Sequence, residues 1–187
     1  MALLAAVLYG LILSIFFPEF SLDGLPALSY FTIQSNILVA LFLFCVLIYP
    51  PSSKIHVIFR GTVLLSITVT GLVFHIFLVP YYPELFADGV AFRHHLTHTI
   101  VPLGFILDWL FFDQKGQMKL GDLKYWLIYP LLYWLFSIVR GGIVGAYPYF
   151  FMDLNILDFS AVMLWFLFLV FIFIALGLLL VLADNRR

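Results

Sequence analysis

Four hydrogen-bonding side chains, Thr32, Gln34, Ser35 and Asn36, fall within five positions of "YFTIQSNILV" (residues 30–39). Farther along, "HHLTH" sets His94, His95 and His98 at spacings of three and four, which an α-helix gathers on one broad face. A threonine hydroxyl is a weak nucleophile until a neighbouring base takes its proton, and imidazole is the usual base near neutral pH. Thr32 and His98 are one such pair. Asn36, one turn beyond Thr32, could orient the nucleophile or donate an amide N–H to a developing oxyanion. Gln34, His75 and His95 are further polar groups for contacting a substrate, and Arg140 or Arg93 could hold a substrate carboxylate. The chemistry these groups point to is acyl hydrolysis. Ser35 or His95 could fill the nucleophile and base roles equally well.

Cofactor chemistry is the competing use of the histidines. A zinc site built on "HHLTH" would need a partner to hold its imidazoles, and Asp88 is the nearest carboxylate in sequence. Five histidines are too few for a histidine-rich di-iron hydroxylase. A haem held by His75 and His98 would lack an inner histidine pair to complete transmembrane electron transfer. The single cysteine, Cys45, excludes an intrachain disulfide and a cysteine-based metal site. The expectation is no metal and no cofactor.

The elements that must position these groups are membrane helices. The chain has 187 residues, 65% apolar and 10% charged, against about 45–50% and about 25% in a soluble domain. Stretches long enough to cross about 30 Å of hydrocarbon lie at 2–17, 29–49, 57–79, 95–112, 123–143 and 157–183. The reading is an all-α polytopic membrane protein, a six-transmembrane-helix bundle forming one domain over 1–187. The first stretch, "MALLAAVLYGLILSIFF", lacks a basic start and a small-residue cleavage site, so it reads as a retained helix and not a signal peptide. Breaks such as "PPSSK", "PYYPELFADG" and "GAYPYFFMDLN" carry turn chemistry.

Basic residues set the orientation. Lys54, Arg60, Lys115, Lys119, Lys124, Arg186 and Arg187 collect on one side, and Arg93 and Arg140 on the other with Glu19, Asp23, Glu84, Asp88, Asp153 and Asp158. Both termini are therefore expected in the cytoplasm. The net charge of −1 and the lack of a basic run give no sign of a nucleic-acid partner. The expected partner is a lipid or fatty acyl ester from the bilayer, and no protein partner is inferable.

In this topology Thr32 and His98 each lie roughly 5 Å below the start of their helices. An unsatisfied polar group in lipid costs several kcal/mol. Their common depth thus points to a water-accessible pocket open to the outer leaflet, with interhelical hydrogen-bond glue as the bland alternative. Asp108 falls roughly 15 Å deeper, too far for catalysis, and is expected to bond a neighbouring helix, with Trp109 at the interface. Arg140 is expected to pair with Asp153 or Asp158. Tyr81, Tyr82, Tyr125, Trp126, Tyr147 and Tyr149 read as interfacial belts, and Pro102 and Pro130 as kinks that open a pocket wall.

"YFTIQSNILV" and "HLTHTIVPLGFILDWLFF", followed by "YWLIYPLLYWLFSIVRG" and "YPYFFMDLN", resemble the androgen-induced and androgen-dependent TFPI-regulating family and its bacterial relatives. The resemblance runs from about residue 29 to the last helix. It implies a multi-pass threonine hydrolase of fatty acid esters of hydroxy fatty acids, with Thr32 as nucleophile and His98 as its histidine. His94 and His95 are additions to that pattern, and the short loops suggest a bacterial-type member in a bacterial cytoplasmic membrane. The alternative function is a non-catalytic lipid-binding or small transport protein using the same outer pocket.

Overall fold

The structure, a computed structural model, describes residues 1–16, 25–48, 53–82 and 91–186. Glu19, Asp23, Glu84, Asp88 and Arg187 lie outside the described residues. The described chain is helical, without a strand. Its main helices are α1 (Ala2–Phe16), α2 (Phe31–Ile48), α3 (Lys54–Tyr81), α4 (Phe92–Phe112), α5 (Leu120–Val144) and α6 (Phe159–Asp184).

Five of these, α2 to α6, are long and apolar enough to cross a membrane. The sixth expected span is shorter: α1 has 15 described residues, or about 22 Å at ~1.5 Å per residue. Large apolar side chains such as Phe111, Phe112, Leu164 and Phe171 are exposed on the outside of the bundle, as suits a multi-pass membrane protein.

α3 is the axis of the packing. Half of it (50%) is buried, more than of any other candidate span, and it touches α2, α4, α6 and the first turns of α5. Glycines permit these approaches. A Cβ on Gly61 would lie 2.1 Å from the ring of Trp126, and one on Gly71 would lie 3.0 Å from the carbonyl oxygen of His98. Trp126 is fully buried and Trp109 nearly so. Both were expected at the interface and are instead buried in the bundle, Trp126 because Gly61 opposite it leaves room for an indole.

Local sequence explains where the helices start and stop. Ser53 caps α3 by accepting from the His56 N–H, and Asp158 caps α6 by accepting from the Ala161 N–H. α5 ends at Gly145, whose φ of 72° is the left-handed geometry glycine adopts without strain. Pro130 removes a backbone donor near the start of α5, where the helix is interrupted at Leu127.

Two wider, π-type turns interrupt regular helices, at Phe74–Leu78 in α3 and at Leu96–Ile100 in α4. Each lies just before a proline, Pro80 or Pro102. A proline cannot donate to the carbonyl four residues back and its ring crowds that carbonyl, so an inserted residue relieves the conflict. The carbonyl left without this partner by Pro102 is that of His98, which faces Gly71.

The end of the bundle away from the π turns carries its own polar network. Arg60 is two turns into α3 and 2% exposed, with Nη2 at 2.7 Å from Asp108 and Nε at 2.7 Å from Asp113. Its guanidinium also lies over the rings of Phe42 and Phe105. Asp108 thus bonds a neighbouring helix as expected, and its partner is Arg60, buried inside the bundle. Lys54 pairs with Asp122 at 2.5 Å, and Asp184 accepts from the Met118 N–H at 2.8 Å. These bonds join the start of α3, the end of α4, the start of α5 and the end of α6 at one end.

Candidate functional site

Ser and Thr hydroxyls inside helices commonly bond the carbonyl four residues back. Ser14, Thr62, Ser66, Thr68, Thr70 and Thr97 all do so. Thr32 does not. Its Oγ1 lies 3.1 Å from Nε2 of His98, a residue 66 positions away on another helix. The carbonyl it might have used, that of Leu28, is taken by the Gln34 amide at 2.8 Å.

The partners of His98 set which nitrogen carries its proton. Nδ1 is 3.1 Å from the His94 carbonyl and 3.0 Å from Thr97 Oγ1, whose own proton goes to the Arg93 carbonyl. Both neighbours can only accept, so Nδ1 is the donor. Nε2 is left with its lone pair toward the Thr32 hydroxyl. That is the tautomer a general base requires, and a backbone carbonyl takes the orienting role often filled by a carboxylate. Phe74 stacks on the imidazole at 3.8 Å and 18° and holds its plane. Thr32 and His98 are both buried, at 8% and 6% exposure.

Asn36 ties the two helices together. Its amide nitrogen donates to the Thr32 carbonyl at 2.8 Å and to the Thr97 carbonyl at 3.1 Å. Both amide hydrogens are committed to backbone carbonyls, which leaves none for an oxyanion. Its Oδ1 is buried without a partner among the described residues. Ser35 donates to the Thr32 carbonyl and shares a 2.7 Å bond with Thr70. It joins α2 to α3 and faces away from the histidine, which separates it from Thr32 as a nucleophile.

The other expected contacts fall elsewhere. His95 is exposed, because the wider turn changes the angular step and carries it off the face of His98. His94 stays near, with ring centroids 5.4 Å from His98. Its Nε2 is buried without a partner among the described residues. His75 is exposed and bonds Thr99 at 2.9 Å. Gln34 spans Leu28 and the Tyr129 hydroxyl and braces the entry to α2. Arg140 reaches the Ala146 carbonyl at 3.5 Å. Its expected ion pair does not form: Asp153 caps Asn155, and Asp158 caps α6 and Ser160. Those bonds hold the Asp158 carboxyl below its ordinary range. Among the described residues no group of histidine, cysteine and carboxylate side chains is placed to hold a metal.

Beside Thr32 lies a cavity of about 60 Å³, walled by Val69, Val73, Leu78, Pro130, Trp134, Phe151, Leu169 and Phe173, with Thr32, Thr70, Tyr133 and Tyr149 as its hydroxyl groups. Proline 130, expected to open a pocket wall, is part of this one. Tyr149, read from sequence as an interfacial aromatic, belongs to the site instead. Its hydroxyl accepts from the Thr32 backbone N–H at 3.4 Å, and burial pushes the phenol above its ordinary pKa, which keeps its proton in place at neutral pH. The aromatic run "YPYFF" was the only signal for it.

Comparisons with known proteins are silent on this chain: no family model, no curated protein and no solved structure gives a significant match.

Proposed function

We propose that the protein is a membrane-embedded lipid ester hydrolase in which Thr32 is the nucleophile and His98 its general base. The observation that carries the reading is the 3.1 Å contact between Thr32 Oγ1 and an Nε2 whose opposite nitrogen is committed to the His94 carbonyl. Six other helical hydroxyls here bond their own turn, whereas Thr32 is turned across to an imidazole that can take its proton. The cavity adjoining Thr32 is lined mainly by apolar side chains, and the resemblance of the two stretches to the androgen-induced and androgen-dependent TFPI-regulating family supports the same pairing.

In this mechanism Thr32 attacks the ester carbonyl, His98 takes its proton and returns it to the leaving alcohol, and water hydrolyses the acyl-threonine by the same route. Fatty acid esters of hydroxy fatty acids are the substrate class the resemblance suggests. The protein is read as a six-span protein of a bacterial cytoplasmic membrane with both termini in the cytoplasm and the threonine near the outer leaflet. The segregation of its basic residues supports this orientation.

The test is labelling of purified protein by a fluorophosphonate, with mass spectrometry to locate the adduct. Wild type is expected to carry it on Thr32, and Thr32→Ala and His98→Ala to lose it. Wild type that stays unlabelled while folded would overturn the hydrolase reading in favour of a non-catalytic lipid-binding or small transport protein.

A further inference from the structure

We propose that the Tyr149 hydroxyl is a catalytic hydrogen-bond donor, forming an oxyanion site together with the backbone N–H of Thr32. This rests on the hydrolase reading and deepens it. Thr32 is the second residue of α2, so its N–H belongs to the first turn, where backbone donors lack an intrahelical acceptor. That N–H meets the Tyr149 hydroxyl oxygen at 3.4 Å. The nucleophile's own N–H is a recurrent oxyanion donor in acyl transfer. In the resting protein the phenol oxygen fills the acceptor position, and accepting there leaves its own proton to donate.

The position is built, not incidental. Tyr149 comes from the segment between α5 and α6, and its ring stacks on Phe151 at 5.1 Å and 12° and meets Tyr30 edge-on at 6.1 Å. Thr32 and Tyr149 line the same cavity. Two other hydroxyls there are already spent, Thr70 on the Ser66 carbonyl and Tyr133 on the Ser29 carbonyl. Asn36, the side-chain amide nearest the nucleophile, has both hydrogens on backbone carbonyls. A carbonyl oxygen entering beside Thr32 therefore finds Tyr149 and the Thr32 N–H as its donors.

The chemistry balances without another reactant. As the Thr32 oxygen bonds to the ester carbon, its proton passes to His98 and the carbonyl π pair moves onto oxygen. Tyr149 and the Thr32 N–H hydrogen-bond that oxyanion without giving up a proton. Collapse restores the C=O bond and breaks the alkoxy C–O bond, and the leaving alkoxide takes the proton from His98. Water then adds to the acyl carbon as His98 takes its proton, the same two donors hold the oxyanion, and collapse breaks the Thr32 Oγ1–acyl bond, releasing the fatty acid and returning the proton to Thr32.

The experiment is p-nitrophenyl octanoate hydrolysis by the full chain in detergent, comparing wild type, Tyr149→Phe and Thr32→Ala. Loss of one oxyanion donor lowers kcat by about 10²–10³-fold, so Tyr149→Phe is expected to lose kcat on that scale with KM within about twofold and an unchanged melting temperature. Thr32→Ala should be inactive. A Tyr149→Phe enzyme with wild-type kcat, in a series where Thr32→Ala is inactive, overturns the role of Tyr149 alone. Thr32→Ala with wild-type turnover, or a wild type without turnover, overturns the hydrolase reading and this inference with it. Should Tyr149→Phe not fold, 3-fluorotyrosine at position 149 keeps the shape and acidifies the phenol. The alkaline limb of its kcat profile should then move to lower pH, and an unmoved profile overturns the proposal.

Discussion

The hydroxyl of Thr32 meets Nε2 of His98 at 3.1 Å across two helices, while Nδ1 of the same ring is held by the carbonyl of His94. The second contact fixes the tautomer and leaves the Nε2 lone pair toward the Thr32 hydroxyl. His98 itself lies within the wider turn at Leu96–Ile100.

Removing either partner of this contact should sharply lower turnover without unfolding the protein. Loss of a general base costs about 10²–10⁴-fold, so His98→Ala is expected within that range on p-nitrophenyl octanoate. Thr32→Ser keeps the hydroxyl and should retain measurable activity, where Thr32→Ala has none. Melting temperatures in detergent serve as the check on folding.

Asn36→Ala should be costly in stability and activity together. It leaves the Thr97 carbonyl without its 3.1 Å donor from Asn36 and takes one of two side-chain donors from the Thr32 carbonyl, which keeps Ser35, at a residue with no exposure. An orphaned buried acceptor costs about 1–3 kcal/mol. Thermal unfolding reads the first effect and kcat the second, since the tether between α2 and the π turn is lost.

Two glycines of α3 should separate folding from function. A methyl at Gly61 would fall 2.1 Å from a fully buried indole, and overpacking of that kind costs about 1–3 kcal/mol or more. Gly61→Ala is therefore expected to lower the melting temperature. At Gly71 the added Cβ meets the His98 carbonyl at 3.0 Å, which asks for a shift of tenths of an ångström. Gly71→Ala should leave the fold intact and lower kcat by moving His98 from Thr32.

Arg60→Met should destabilise the opposite end of the bundle in a pH-dependent way. It strands Asp108 and Asp113, and breaking a buried pair from one side costs about 3–5 kcal/mol, less here because the carboxylates are partly exposed. Burial already pushes the Asp113 carboxyl above 3.8, with Arg60 opposing that rise. A raised folded pKa means that ionised Asp113 costs stability above it, and that the cost fades as the pH falls through it. Without Arg60 the pKa rises further. The stability deficit of Arg60→Met against wild type should thus be largest at neutral pH and shrink on acidification, and Asp108→Asn in the same chain should recover part of it.

The amino-acid sequence by itself determined the helical membrane class, because hydropathy and span length are local properties that lipid reads directly. It also determined the clustering of Thr32, Asn36 and His98 at one depth, since depth follows from position along each helix. Pro80 and Pro102 mark the two π turns by their missing backbone donors. What faces what was decided only by tertiary packing. Regular helical spacing put His95 beside His98, and the wider turn carried it outward. Ser35 and Thr32 were equivalent as nucleophiles until packing gave one to Thr70 and the other to His98. Arg60 reads as one more charge of the cytoplasmic side beside Lys54, and Trp109 and Trp126 as interfacial aromatics. The burial of Arg60 depends on carboxylates at the end of α4, and that of Trp126 on a glycine of α3. Tyr149 reached Thr32 for the same reason: 117 residues separate the two, and no local pattern encodes a contact made by folding a loop back over another helix.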